Sequence, residues 1–134
     1  MALRWYTIVV DSLDPQAQAR WWAQVLDWAL VFDTPEEAVI IPKDVPPGPL
    51  DDLSSWMSAG QGMVFVRVPE EKSVKNRLHI DLAPHTSQNR DEEIARLLQM
   101  GATHADVGQT EADGWTVLRD PEENEFCVLS SRDS

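Results

Sequence analysis

The sequence predicts an α+β fold built from two successive strand–helix–three-strand modules, βαβββ twice over. Three observations carry this reading. Each half opens on a run with two-residue alternation or β-branched and aromatic character. Each continues into one amphipathic stretch with apolar residues at helical spacing. Each closes on three short apolar runs separated by turn residues. The first module covers residues 1–70 and the second 76–134, within one domain spanning 1–134. Neither half is large enough for a good core, so the two are expected to fold as one domain.

Trp5 to Asp11 (WYTIVVD) reads as the first strand. Asp14-Pro15 follows, an N-cap residue and a proline suited to the first helical position. Gln16 to Trp28 is the first helix, with Trp21, Val25 and Trp28 on one line and Trp22, Leu26 and Ala29 beside it. Ala29 to Phe32 and Ala38 to Ile41 are strands joined by a turn at Asp33-Thr34-Pro35. Pro42 to Gly60, with Pro42, Pro46, Pro47 and Pro49, is a long loop with a helical turn around Leu53 to Met57. Met63 to Val68 ends the first module as a strand, and Pro69 to Asn76 is a polar connection carrying Lys72 and Lys75.

Arg77 to Ala83 (RLHIDLA) alternates strictly and reads as a strand, with Leu78, Ile80 and Leu82 on one face and His79 and Asp81 on the other. Asn89 to Met100 is the second helix. Ile94, Leu97 and Leu98 turn inward, three acidic residues favour the first turn, and Gly101 suits the C-terminal stop. Three strands follow: Thr103 to Val107, Trp115 to Arg119 and Glu125 to Leu129, the last two joined by the turn Asp120 to Asn124.

Composition narrows the function classes. Eleven basic against 23 acidic residues give a net charge of −12, which argues against nonspecific nucleic-acid binding and favours cationic ligands. The apolar runs are far short of a membrane span, and residues 1–10 lack the pattern of a secretory leader. With Cys127 the only cysteine, neither an intrachain disulfide nor a multi-cysteine zinc cluster can form. A cytoplasmic setting is the expectation. There is no glycine-rich phosphate cradle or dinucleotide fingerprint, and Ser54-Ser55 has no base at a recognisable spacing.

Three segments carry a family resemblance. Asp14-Pro15 followed by Arg20-Trp21-Trp22-Ala23-Gln24-Val25-Leu26-Asp27-Trp28 resembles the first helix of the vicinal oxygen chelate superfamily, whose helix ends in Leu-Gly-Trp. Lys75 to Leu82 resembles the opening of the second half of its glyoxalase-like members. Asp120-Pro121-Glu122-Glu123-Asn124 is similar to the Asp-Pro-x-Gly-Asn turn before the last strand. Asp27 and Glu123 stand where the motifs have glycine. The superfamily includes glyoxalases, bleomycin-resistance proteins and extradiol dioxygenases. The resemblance implies a curved mixed sheet, or half-barrel, around a small-molecule site. It also implies a homodimer, because such sites are commonly built near a two-fold interface.

In metal-dependent relatives the first and last strands of each half supply His, Gln or Glu ligands to a divalent ion. The resemblance puts His79 at the first ligand position of the second half. The last-strand Glu position is occupied by Cys127, with Glu125 one pleat away, roughly 6.5–7 Å along the strand. In the first half the matching position is Thr7 or Val9, and the last strand, Met63 to Val68, has no carboxylate or imidazole. Only one familiar ligand survives, so the expectation is a lost metal site and no cofactor. A divalent ion on His79, with Glu125 or Cys127 as substitute ligand, is the alternative.

His79 and Glu125 are therefore the candidate catalytic residues. Trp5, Thr7, Val9, Asp11, Phe65, Arg67, Asp81 and Cys127 are the candidate substrate contacts, with Met63, Phe65 and Arg67 sharing an inner face. Trp56 and Trp115 are further rim aromatics, whereas Trp21, Trp22 and Trp28 are assigned to helix packing. Two functions compete: an enzyme of lyase, isomerase or dioxygenase type acting on a small oxygenated substrate, and a metal-free protein sequestering a cationic ligand. A protein-contact role for the 42–60 loop is a third.

Overall fold

The computed structural model describes residues 3–46, 48–105 and 114–134. The chain divides into two compact units, Met1–Glu70 and Glu71–Ser134. In order, the first holds β1 (Thr7–Ser12), α1 (Pro15–Leu26), β2 (Ala29–Asp33), β3 (Glu37–Ile41), α2 (Leu53–Ser58) and β4 (Gly62–Arg67). The second holds β5 (Ile80–Leu82), α3 (Arg90–Gln99), β6 (Thr103–His104), β7 (Trp115–Arg119) and β8 (Glu125–Leu129). Each unit carries one four-stranded mixed sheet, ordered β1-β4-β3-β2 in the first and β5-β8-β7-β6 in the second. The βαβββ plan is thus written twice in the same strand order, in an α+β architecture.

In the first unit β1 runs parallel to β4 along its whole length, from Thr7 opposite Gly62 to Ser12 opposite Arg67. Gly62 is required here, because a Cβ would lie 2.8 Å from the backbone oxygen of Ile40. β3 lies antiparallel to β4, which sets Ala38 beside Phe65 and Ile40 beside Met63. All four are buried, and α1 packs across β3 and β4. The Asp14 carboxylate caps α1 by accepting from the Ala17 N–H, and Trp21 and Trp22 are buried edge to face with centroids 5.2 Å apart. The helix stops at Leu26, before the expected Trp28. Asp27 adopts the left-handed conformation (φ 54°), and the Trp28 N–H bonds back to Ala23.

In the second unit the Asn89 side chain caps α3 by accepting from the Glu92 N–H. Its end is a Schellman closure: Ala102 N–H to Leu97 O and Gly101 N–H to Leu98 O, with Gly101 at φ 110°. Leu97, Leu118, Phe126 and Val128 are buried, and α3 packs on β8. The turn before β8 is organised by the buried Asp120 carboxylate, which accepts from the backbone N–H groups of Glu122 and Asn124 and from the Asn124 amide. Glu123 sits in it at φ 70°.

Two strands of the second unit depart most from their expected bounds. The strand expected from Arg77 to Ala83 is ladder only over Ile80–Leu82, and Leu78, expected to face inward, is 89% exposed. The strand expected over Thr103 to Val107 is seen at Thr103–His104, with the Ala105 N–H still bonded to Val117 O. Residues 106 and 107 lie outside the described residues, as does Pro47 of the long loop. Among the described residues no helix is long and apolar enough to cross a membrane.

Candidate functional site

The second sheet gathers a cluster on the face opposite Phe126. Parallel register places Asp81 beside Cys127, and antiparallel register places Val117 on the other side of Cys127. His79 immediately precedes β5, and its Nδ1 lies 3.2 Å from Asp81 Oδ1 and 3.9 Å from Cys127 Sγ. One donor atom from each of the three residues falls within 4.8 Å of the other two. His79 and Asp81 are about half exposed at 46% and 47%, while Cys127 is buried against Ala105 and Val117. Burial, reinforced by the neighbouring Asp81 carboxylate, pushes the Cys127 thiol up to about 11. The thiol is therefore protonated near neutrality, with the Asp81 carboxylate as its charged neighbour. That makes it a poor free nucleophile.

Glu125 lies on the same face of β8 but is engaged elsewhere. Its carboxylate accepts from Lys72 Nζ and from the Asn76 N–H, each at 3.0 Å, and the Asn76 amide donates to the Glu125 backbone oxygen at 3.4 Å. Burial alone would raise this carboxyl. The Asn76 N–H and the Lys72 ammonium outweigh it and hold the group below its ordinary value. Glu125 is thus a fully partnered anion directed at the connection before β5. Sequence reasoning placed it as an acid–base partner of His79 and did not single out Lys72 or Asn76. The available signal was the need of a buried carboxylate for a cation, with two lysines in the adjoining connection.

The first-unit candidates are spread along a sheet and form no such cluster. Thr7, Val9 and Asp11 share one face of β1, beside Val64 and Val66. Thr7 donates its hydroxyl to Gly62 O at 3.0 Å, Val9 is 58% exposed, and Trp5 is an exposed residue ahead of the strand. Phe65 corrects the expected inner face: it is fully buried on the side covered by α1, with Met63, and is not open to a ligand. The alternation is as expected, but the face that carries Met63 and Phe65 is the one paired with Ala38 and Ile40 under α1. Arg67 lies at the exposed end of β4, lining a depression of about 360 Å³ with Leu13, Glu36, Val68 and Pro69. Trp56 on α2 carries the Arg4 guanidinium 4.9 Å above its ring, and Trp115 opens β7 partly exposed.

The donor set of the cluster can be tested against the divalent ion implied by the resemblance. One imidazole nitrogen, one carboxylate oxygen and one thiol sulfur converge. Donors bound to one zinc-sized ion at ~2.0–2.3 Å sit roughly 3.3–3.8 Å apart in a tetrahedron; here the His79 nitrogen is 3.2 Å from Asp81 and 3.9 Å from Cys127, and the whole set lies within 4.8 Å. A thiol ligand favours a borderline-soft ion over a hard one. Three protein ligands also leave a position open, as catalytic sites require. The side chains fit a zinc-type ion, provided Cys127 gives up its proton on binding.

Comparison with solved structures places the fold among known relatives. The chain is similar to a glyoxalase/bleomycin resistance protein/dioxygenase family enzyme from Burkholderia phytofirmans PsJN, with TM-score 0.67 and 15% identity over 96% of this chain and 98% of that one. It is also similar to the fosfomycin resistance protein FosX from Mesorhizobium loti, with TM-score 0.66 and 12% identity over 96% and 92% of the two chains. FosX from Listeria monocytogenes, solved with Mn(II) and sulfate, matches with TM-score 0.68 and 10% identity over 98% and 92%. A search of curated protein sequences found no match. The family model described as the glyoxalase-like domain matches residues 7–129, from the first residue of β1 to the last of β8. Together with the doubled βαβββ architecture, this makes the chain a member of the glyoxalase-like domain family.

Proposed function

We propose that this protein is an enzyme acting on a small oxygenated molecule at the half-exposed His79–Asp81 edge of the second sheet, with a lyase, isomerase or dioxygenase type of reaction. The convergence of His79, Asp81 and Cys127 within 4.8 Å carries the reading. These residues would hold a zinc-type divalent ion, which when bound supplies Lewis-acid polarisation of substrate oxygens. Asp81 Oδ1 lies 3.2 Å from the His79 ring nitrogen and Cys127 Sγ 3.9 Å from the same nitrogen, so the three side chains already face one another. Val117 and Ala105 keep water from the buried side of the sulfur. The names of relatives that include fosfomycin resistance proteins and an oxidase support small-molecule chemistry on this scaffold.

The test is cobalt(II) titration of chelator-treated protein. About one ion per chain is expected, with a thiolate-to-cobalt absorption band that disappears in Cys127→Ser and uptake that fails in His79→Ala. No uptake by the wild-type chain would overturn the metal reading. The net charge of −12 would then favour the second reading, metal-free sequestration of a cationic small molecule, read by tryptophan fluorescence on adding cationic glycopeptides or polyamines. A homodimer in the cytoplasm belongs to the same proposal, and sedimentation equilibrium tests the dimer.

A further inference from the structure

We propose that Glu125 is a positioning residue whose latch on Lys72 and Asn76 sets His79 over Cys127 and Asp81. The geometry is a short excursion of chain between two anchors on neighbouring residues of β8. Asn76 is fixed to Glu125 by two hydrogen bonds, one to the carboxylate and one to the backbone oxygen. Ile80 then pairs with Phe126, the next residue along. Only Arg77, Leu78 and His79 lie between these anchors. They cannot run as a further stretch of ladder, because three residues must leave and rejoin β8 within one residue of strand. Leu78 is consequently thrown into solvent at 89% exposure, and His79 is the last residue of the excursion before the ladder resumes.

The latch is built rather than incidental. The Lys72–Glu125 ion pair has side-chain exposures of only 19% and 7%, so both charges are largely withdrawn from water and depend on each other. Without it, the Lys72–Asn76 connection loses the ion pair and the two hydrogen bonds that tie it to β8. Asp81 alone does not place the ring, since a half-exposed imidazole–carboxylate contact is weak. The functional weight of this latch rests on the proposed reading of the His79 cluster. Its structural content does not.

The experiment uses the whole chain and two readouts. The first is metal-free: through-space NMR contacts between the His79 ring and the Cys127 β protons, in the wild type, Lys72→Met, Asn76→Ala, Glu125→Ala and Lys72→Arg. Loss of these contacts in Lys72→Met and their weakening in Asn76→Ala, which removes only the amide bond to the Glu125 backbone oxygen, with other contacts of the second unit kept and rescue in Lys72→Arg, is the expected result. Retention of the contacts in both variants overturns the proposal, as does their absence from the wild type. If Glu125→Ala does not fold, Lys72→Met decides, since methionine keeps the apolar stem and removes only the ammonium. The second readout is cobalt(II) affinity, expected to weaken by about tenfold or more in the latch variants. Lost contacts together with no cobalt uptake by the wild type would uphold the latch and sink the metal reading, so the two failures are separable.

Discussion

The two sheets share a strand order and differ at one edge. In the first, β1 completes a six-residue parallel ladder with β4, and its open face carries Val9 beside Val64. In the second, β5 keeps only three ladder residues with β8, and the corresponding face carries Asp81 beside the buried Cys127 with His79 drawn over them. A full ladder satisfies more backbone groups but leaves no freedom to aim a side chain off the pleat. The shortened strand gives up that regularity and replaces it with side-chain anchors from Glu125, Lys72 and Asn76. What the difference teaches is that a duplicated module can divide its labour. One copy keeps a full parallel ladder at this edge, and the other gathers an imidazole, a carboxylate and a thiol there.

The comparison can be broken most forcefully at Phe65 and Val9, both sequence candidates for ligand contact. Phe65→Ala should lower unfolding stability by about 3–5 kcal/mol in denaturant titrations, because the ring is fully buried under α1. Val9→Ala should stay within about 0.5 kcal/mol, as expected for an exposed position. Equal losses at the two sites would mean the open face of the first sheet is not open.

The next effect concerns the cluster itself. His79→Ala or Cys127→Ser should weaken divalent-ion binding on the order of 100-fold or more, about 2.7 kcal/mol, by calorimetry. Val9→Ala and Val64→Ala should leave it unchanged. A loss from the first-sheet variants would show that ion binding is not confined to the second sheet.

A smaller effect is readable from pH. The Cys127 thiol, held up to about 11, should alkylate slowly at pH 8 and accelerate as pH approaches that value. Asp81→Asn removes the neighbouring negative charge and should raise the rate at pH 8 by roughly tenfold, followed by mass spectrometry. The linked stability has a definite sign. A thiol whose folded pKa is raised contributes fully below the unfolded value of about 8.5 and loses that contribution as pH climbs through the folded value.

The smallest effect compares Asp27 and Glu123, the two acidic residues in left-handed backbone among the described residues, one in each unit. Glu123→Gly should stabilise by about 0.5–1 kcal/mol by thermal or chemical denaturation, because glycine accepts φ 70° without strain. Asp27→Gly should gain less. Its carboxylate also pairs with Lys43 Nζ at 2.6 Å, and the substitution loses that bond.

The secondary structure was largely legible along the chain. Asp14-Pro15, Asn89 and Gly101 mark helix ends through local chemistry, and they do so in the structure. β7 and β8 lie within the bounds their composition implies. Misreadings fall where a distant residue overrides local pattern. Arg77 to Ala83 alternates like a strand, yet Glu125, some fifty positions on, holds Asn76 and ends the ladder at Ile80. Phe65 and Arg67 alternate as expected, but which face lies under the helix depends on where α1 packs. The site was legible in part: His79, Asp81 and Cys127 were each candidates, while their convergence was not.

By itself the sequence determined the doubled βαβββ order and the helix caps. These depend on propensities and spacings within a few residues. Tertiary structure alone decided that Cys127, and not Glu125, stands with His79. Alternation puts Glu125 and Cys127 on one face of β8 and cannot choose between them. Lys72 and Asn76 chose, by satisfying the buried carboxylate and leaving the sulfur as the atom next to the imidazole.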